Sequence, residues 1–289
     1  MNISEKNGDL ILSGTDSFEL CHIFDCGQCF RWNENADKSY TGVALGHALT
    51  ISKKENDIIF HQTSLEDFYN IWKNYFDLDT DYSKIKSKLS EDIILKNAIV
   101  YGEGIRILRQ DLWECVVSFI ISASNNIPRI KKIIDSLCYN FGEKITYMGH
   151  EYFTFPSPEK IQSLTLEDLS VIKAGFRDKY ILDAAKKFSN GEISYEKLSN
   201  MSTPDAKKTI MSISGVGNKV SDCILLFSLS RTESFPVDVW IKRIMEYCYF
   251  ENKQSIDNIS AFSKEKFGDL GGFAQQYLFF YARENKIGL

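Results

Sequence analysis

Five residues, Ile213-Ser214-Gly215-Val216-Gly217, join two stretches of helical character, DAKKTIMSI before them and the run from Asn218 after them. This join constrains the chain more than any other feature. Two glycines one residue apart permit backbone angles that a β-carbon forbids, so a tight hairpin can turn between the helices. Successive amide N–H groups then converge beside a helix N-terminus, which makes an anion site, and a DNA phosphate is its natural ligand. A plain turn between two helices would use the same glycines, so Gly215 and Gly217 alone leave both readings open.

Lys219 and Asp238 add chemistry. Lys219 falls in the first turn of the second helix, where the positive end of the helix dipole and partial burial both disfavour an ammonium. A neutral amine is a nucleophile capable of Schiff-base formation. In ESFPVDVWIKRIM, Asp238 is flanked by Val237, Val239 and Trp240, which draw it inward, and it precedes a helix that it can cap. A solvated lysine and a purely structural cap are the bland alternatives. Together the two offer an amine nucleophile and a carboxylate able to support a cation-like sugar, a division of labour familiar from glycoside chemistry.

With 289 residues the chain can bury a substantial core over two or three domains. Its net charge of −5 argues at first against an acidic partner. The distribution changes that, because residues 1–100 hold 10 Lys and Arg against 16 Asp and Glu, while residues 101–200 hold 13 of each. The acidity belongs to the first third, and the rest is free to carry a basic face. No apolar run is long enough to span a bilayer, and MNISEKNGDL is unlike a signal peptide, so residence in the cytosol is expected, on the nucleoid if the source is bacterial. Seven scattered cysteines suggest reduced thiols. Cys21, Cys26 and Cys29 have the spacing that opens a plant-type ferredoxin cluster, but lie in FELCHIFDCGQCFRW without the glycine-rich loop. Buried or half-buried thiols are the expectation, and no metal or other cofactor is called for.

From Asp9 to about Gln62 short alternating runs (DLILSG, SFELCHIF, QCFRW, YTGVALGHALTISKK, DIIFHQT) bounded by turn residues read as antiparallel strands. From Ser64 the period becomes helical. Gln110 to Phe141 reads as two helices broken at Ser124-Asn125-Asn126, with Pro128 in the first turn of the second. Further helices open at Pro158, close at Gly175, and run through FRDKYILDAAKKF and GGFAQQYLFFYAREN. The class is α+β, with an N-terminal antiparallel β-sheet domain over 1–100 packed on a mostly helical body over 101–289 that contains the hairpin.

The run from Ser214 to Lys219 followed by Phe235-Pro236-Val237-Asp238 resembles the helix-hairpin-helix-Gly/Pro-Asp signature of a DNA glycosylase superfamily. Gly27-Gln28-Cys29-Phe30-Arg31-Trp32, Ser124-Asn125-Asn126-Ile127-Pro128-Arg129, Gly175-Phe176-Arg177 and Gly272-Phe273-Ala274-Gln275 extend the likeness, in that order, to the 8-oxoguanine DNA glycosylases. The four-cysteine cluster that endonuclease III carries after the signature is absent. This resemblance implies that Lys219 attacks C1′ of a flipped nucleotide and forms a Schiff base, after which β-elimination nicks the strand, with Asp238 supporting the sugar charge. It implies that the Gly27 carbonyl accepts a hydrogen bond from N7 of the lesion, that Cys223 and Phe279 sandwich the base, and that Gln275 bonds its Watson–Crick edge. It sets Asn125, Asn126, Arg129, Phe176, Arg177, Gly215, Gly217 and Trp240 on the DNA.

Three positions depart from the common pattern. Ser124 stands for a third asparagine and Phe176 for tyrosine, and Trp240 stands for a histidine whose charged phosphate contact it cannot reproduce. Phe176 can still wedge into the gap left by the flipped base, and Arg129 and Arg177 can bond cytosine acceptors. The expected partner is double-stranded DNA containing 8-oxoguanine, met by a monomer. The expected activity is that of a bifunctional glycosylase and AP lyase. Other readings are a non-catalytic helix-hairpin-helix module, which would bind without forming product, and a monofunctional glycosylase for other damaged bases, which usually lacks the lysine.

Overall fold

The computed structural model describes residues 2–250 and 252–288. Strands β1 (Asn2–Lys6), β2 (Asp9–Ser13), β3 (Trp32–Glu34), β4 (Tyr40–Ala44), β5 (His47–Lys54) and β6 (Asp57–Phe60) form one antiparallel sheet in the order β1-β2-β6-β5-β4-β3. Alternation sends Leu10, Leu12, Leu49, Ile51, Ile58 and Phe60 to one face. There they meet Phe68, Trp72, Tyr75 and Phe76 from the first helical stretch, and the Trp32 indole stacks on Phe24 at 4.3 Å. A second, larger core holds the helical body together. Among the described residues no helix is long and apolar enough to cross a membrane.

Two expectations are corrected. SFELCHIF is not a strand: Leu20–Phe24 is a short helix that buries Leu20, Ile23 and Phe24, a one-sided i, i+3, i+4 spacing. After it the chain passes through Gly27 at φ +81° and becomes strand only at Trp32. Nor does Gly175 cap the helix before it. Leu166–Leu169 runs into a 3₁₀ turn at Ser170–Ile172, where Lys173 takes the left-handed conformation at φ +57°. Gly175, also at positive φ, opens the next turn instead. A hairpin of β7 (Lys144–Tyr147) and β8 (His150–Phe153) was not anticipated, because its turn residues Met148 and Gly149 lack the Asn-Gly signature.

The helices Leu112–Ser122 and Ile127–Phe141 break where expected, the second capped by the Asn126 side chain accepting from Arg129 N at 3.0 Å. The segment from Gly27 to Trp32 crosses from the sheet to these helices. Arg31, buried, meets Glu114 at 3.4 Å and donates to the Phe153 carbonyl at 2.5 Å. Burial lifts the Glu114 carboxyl to about 7, while the Arg31 charge pulls it back. Gln28, with no exposed surface, fastens the same segment: Nε2 donates to the Ile23 and Arg106 carbonyls at 2.8 and 2.7 Å, and Oε1 accepts from Leu108 N at 2.9 Å.

Candidate active site

The hairpin sits between Thr203–Ile210 and Asn218–Leu229. Gly215 is at φ +81°, and a β-carbon there would lie 2.3 Å from the Tyr180 ring. Glycine is thus required twice over, by backbone angle and by the close approach of the helix Asp178–Ser189. That helix also claims one of the hairpin amides, since Asp183 accepts from Ser214 N at 2.7 Å. The Val216 amide bonds the Ile213 carbonyl. Among the described residues the amides of Gly215, Gly217, Asn218 and Lys219 bond no protein acceptor, and Gly217 caps the helix without a side chain. An anion has these groups and the positive helix end to itself.

In the first turn of this helix, Lys219 reaches into a cleft lined by Cys26, Gly27, Phe119, Cys223, Phe227, Pro236, Asp238, Gln275, Gln276 and Phe279. The Lys219 ammonium lies 5.0 Å from the centroid of the Phe119 ring. Among the described residues no carboxylate oxygen is within 4.0 Å of it. Phe119 was missed in the sequence, where LWECVVSFII reads only as core. Its ring is fixed by stacking on Phe227 at 5.5 Å and by the edge of Phe30 at 5.7 Å. Asp238 caps Val239–Met245, accepting from Ile241 N at 2.8 Å. Burial raises its pKa above the ordinary Asp value, against the pull of the Ile241 amide and of the Lys219 charge. Cys223, one helical turn after Lys219, has its thiol pushed up to about 11 by burial, with Lys219 drawing it down. It is therefore a neutral, polarisable wall rather than a nucleophile.

The opposite wall comes from both ends of the sequence. No donor among the described residues bonds the Gly27 carbonyl, and a β-carbon at Gly27 would meet Phe279 Cε1 at 3.1 Å. Gln275 is buried; its Oε1 accepts from Gln276 Nε2 at 3.2 Å, which leaves its own amide nitrogen unused by the protein. The space between these walls is about 50 Å³. That is a third of the ~150 Å³ that admits one benzene ring, so a bicyclic ligand enters only when lining side chains shift.

A second group of expected residues lies at the rim. Phe176 is 59% exposed, a free apolar tip on a turn. Arg177 is buried and turned inward: it donates to the Ala174 carbonyl at 3.2 Å and to the carbonyls of Ala123 and Ser124, and its guanidinium lies 4.4 Å from the Phe176 centroid. Burial, then the nearby Arg129 charge, lowers its pKa. Asn125 donates to the Ile121 carbonyl at 3.1 Å and accepts from Asn126 N at 3.0 Å, so with the Asn126 cap both asparagines shape the loop. Arg129 is exposed. Trp240 is partly buried, with the Arg243 guanidinium 5.2 Å from its ring, so a cation stands beside the indole. Cys21 is exposed while Cys26 and Cys29 are buried, and among the described residues no group of three or more His, Cys, Asp or Glu is placed to hold a metal.

Two residues missed in the sequence hold the cleft walls in register. Gln110 donates through Nε2 to the Gln28 carbonyl at 2.7 Å, while its backbone N–H bonds the Phe227 carbonyl at 2.8 Å. It thereby ties the Gly27 segment to the helix that carries Lys219 and Cys223. Gln28 was quoted in the sequence only as part of a motif, and its isolation among apolar neighbours is the signal that it serves the backbone.

Comparison with known proteins gives a consistent result. Residues 10–116 match the family described as 8-oxoguanine DNA glycosylase, N-terminal domain, and residues 117–268 match that of the HhH-GPD superfamily base excision DNA repair proteins. A probable N-glycosylase/DNA lyase of Methanothermobacter thermautotrophicus is 31% identical over 73% of this chain and 74% of its own. The N-glycosylase/DNA lyase of Saccharomyces cerevisiae is 29% identical over 96% and 86%. The crystal structure of Clostridium acetobutylicum 8-oxoguanine glycosylase/lyase, bound to duplex DNA with cytosine opposite the lesion, superposes with a TM-score of 0.96 at 43% identity, covering 99% of each chain.

Proposed function

The chain belongs to the HhH-GPD superfamily of base excision DNA repair proteins, and from that premise we propose that it is a bifunctional 8-oxoguanine DNA glycosylase and AP lyase. The observation that carries this reading is the convergence of Lys219, Cys223, Asp238, Gly27, Gln275 and Phe279 on one cleft beside the hairpin. The free amides of the hairpin take a backbone phosphate, and Phe176 fills the space that an everted nucleotide leaves in the stack. In the cleft the lesion lies between the Cys223 thiol and the Phe279 ring, and the Gln275 amide meets its Watson–Crick edge. Guanine offers a lone pair at N7, whereas the oxidised base carries hydrogen there. The Gly27 carbonyl therefore attracts one and repels the other.

The nitrogen of Lys219 attacks C1′ through its lone pair; the glycosidic bond breaks and its electron pair leaves with the base. Charge developing on the sugar is met by the Asp238 carboxylate. One proton then passes from the new C1′-bound nitrogen to O4′ as the C1′–O4′ bond breaks, leaving a protonated Schiff base and a free 4′-hydroxyl. Removal of a C2′ proton then expels the 3′ phosphate. Duplexes carrying 8-oxoguanine opposite each of the four bases test the reading, with base release and strand nicking followed separately. Release and nicking both exceed those on an undamaged duplex by at least about a hundredfold; binding without either product removes the proposal.

Half-buried Asp238 carries a stability cost. Because burial disfavours its ionised form, the folded protein holds the proton more tightly than the unfolded chain does. Stability therefore falls as pH rises from the ordinary Asp range through the raised folded value. Asp238→Asn keeps an oxygen for the Ile241 amide and removes that dependence. A higher Tm than wild type is expected near neutral pH, with the gain vanishing below about pH 4, while excision falls about a hundredfold. Parallel Tm curves across this range would show that the carboxyl bears no such cost.

A further inference from the structure

We infer that Arg283 is a specificity-determining positioning residue, coupling the loop that carries Gly27 to the Phe279 ring. It rests on the reading of the cleft given above. Arg283 lies in the last turn of the Gly271–Glu284 helix, one turn beyond Phe279 and two beyond Gln275. Its Nη2 donates to the Asp25 carbonyl at 2.5 Å, and its guanidinium carbon is 5.3 Å from the Phe279 centroid and 5.7 Å from that of Phe280. Nη1 is buried without a hydrogen-bond partner among the described residues and lies 3.7 Å from where a Gly27 β-carbon would stand. The acid that pairs with this arginine is its neighbour Glu284, at 2.8 Å. One side chain thus touches both walls of the lesion cleft from behind without lining it.

The loop is anchored on two flanks. On one, Gln28 and Gln110 hold residue 28 to the Ile23, Arg106 and Leu108 backbone and to the catalytic helix. On the other, Arg283 holds the carbonyl of residue 25, the group nearest Gly27, while Tyr40 holds its carboxylate and the Cys21 carbonyl its N–H. Gly27 sits between them at a φ of +81°, where glycine itself offers little resistance to rotation. A carbonyl discriminates N7–H from an N7 lone pair only while it cannot turn away: if the peptide rotates, guanine escapes the repulsion and the lesion loses its hydrogen bond. Arg283 adds to the Tyr40 and Cys21 bonds a grip on the Asp25 carbonyl itself, which limits rotation of the backbone leading into Gly27, and stacking the same guanidinium on Phe279 sets the spacing of the Gly27 carbonyl from the ring that presents the base.

The test compares binding of two duplexes whose target nucleotide, 8-oxoguanine or guanine, carries a 2′-fluoro group that blocks cleavage, together with a duplex bearing an abasic-site analogue that leaves the cleft empty. For Arg283→Leu the ratio of lesion to guanine affinity falls about tenfold, equivalent to about 1.4 kcal/mol. Affinity for the abasic duplex stays within about twofold of wild type, the margin that RT sets for a change of about 0.4 kcal/mol. Arg283→Lys, which retains a cation, recovers part of the ratio. Arg283→Gln, too short to reach Asp25, reproduces the loss and serves if the leucine variant does not fold. An unchanged ratio overturns the inference, and so does an equal loss on all three duplexes, which would mark a structural role. A wild-type protein that does not prefer the lesion at all removes the functional reading instead.

Discussion

Replacing Lys219 by Gln is expected to lower base release by at least about a thousandfold and to leave no covalent product on borohydride treatment of lesion DNA. The amide keeps most of the side chain's length and its packing above Phe119 but has no lone pair free to attack C1′. Binding should survive, because the phosphate is held by amides of the backbone, which the substitution leaves in place. Single-turnover excision, borohydride trapping and electrophoretic mobility measured on one preparation separate these outcomes. Trapping that persists in the variant places the nucleophile on another residue.

Cys223→Trp is the second large effect. Cys223 is 3% exposed and faces a space of about 50 Å³, so an indole fills the volume that the lesion must take and adds overpacking strain of about 1–3 kcal/mol. Excision of 8-oxoguanine should fall by at least about a hundredfold. Nicking at a preformed abasic site, which presents no base, should fall by less than about tenfold, since Lys219 and Asp238 are untouched. The split between the two substrates is the informative measurement. Undiminished excision refutes the assignment of this wall, and equal loss of both activities shows a disturbed lysine rather than a blocked cleft.

How far these residues were legible in the sequence depended on whether their role is local. Gly215 and Asp238 announce themselves through backbone conformation and capping, which are written in neighbouring residues, whereas Gly217 proves not to need glycine, having an ordinary extended backbone at φ −103° and open space where a β-carbon would stand. The two helices around Asn125 and Asn126 were equally readable, from a polar break and a proline. The Leu20–Phe24 helix was misread because five residues of mixed character satisfy a strand's alternation as well as a helix's spacing. Phe119 could not be told from core, since the property that matters, an amine above its face, comes from a residue a hundred positions later. Gln28, Gln110 and Arg283 act through backbone carbonyls brought together by the fold, and no local pattern marks a carbonyl as a partner. Arg177 shows the reverse: a residue expected to face outward spends its guanidinium on the carbonyls of Ala123 and Ser124.

The narrow cleft bears on how inhibitors of such a protein should be sought. Free 8-oxoguanine must displace lining side chains with its own contacts alone, and its apparent affinity is reduced by whatever that displacement costs. The same base delivered on a duplex arrives with phosphates already gripped, and that grip meets the cost of opening. Compounds chosen to match the resting shape will be too small to compete; purine-sized ligands should be screened against protein already engaged with an abasic duplex, where the door has been pushed ajar from outside.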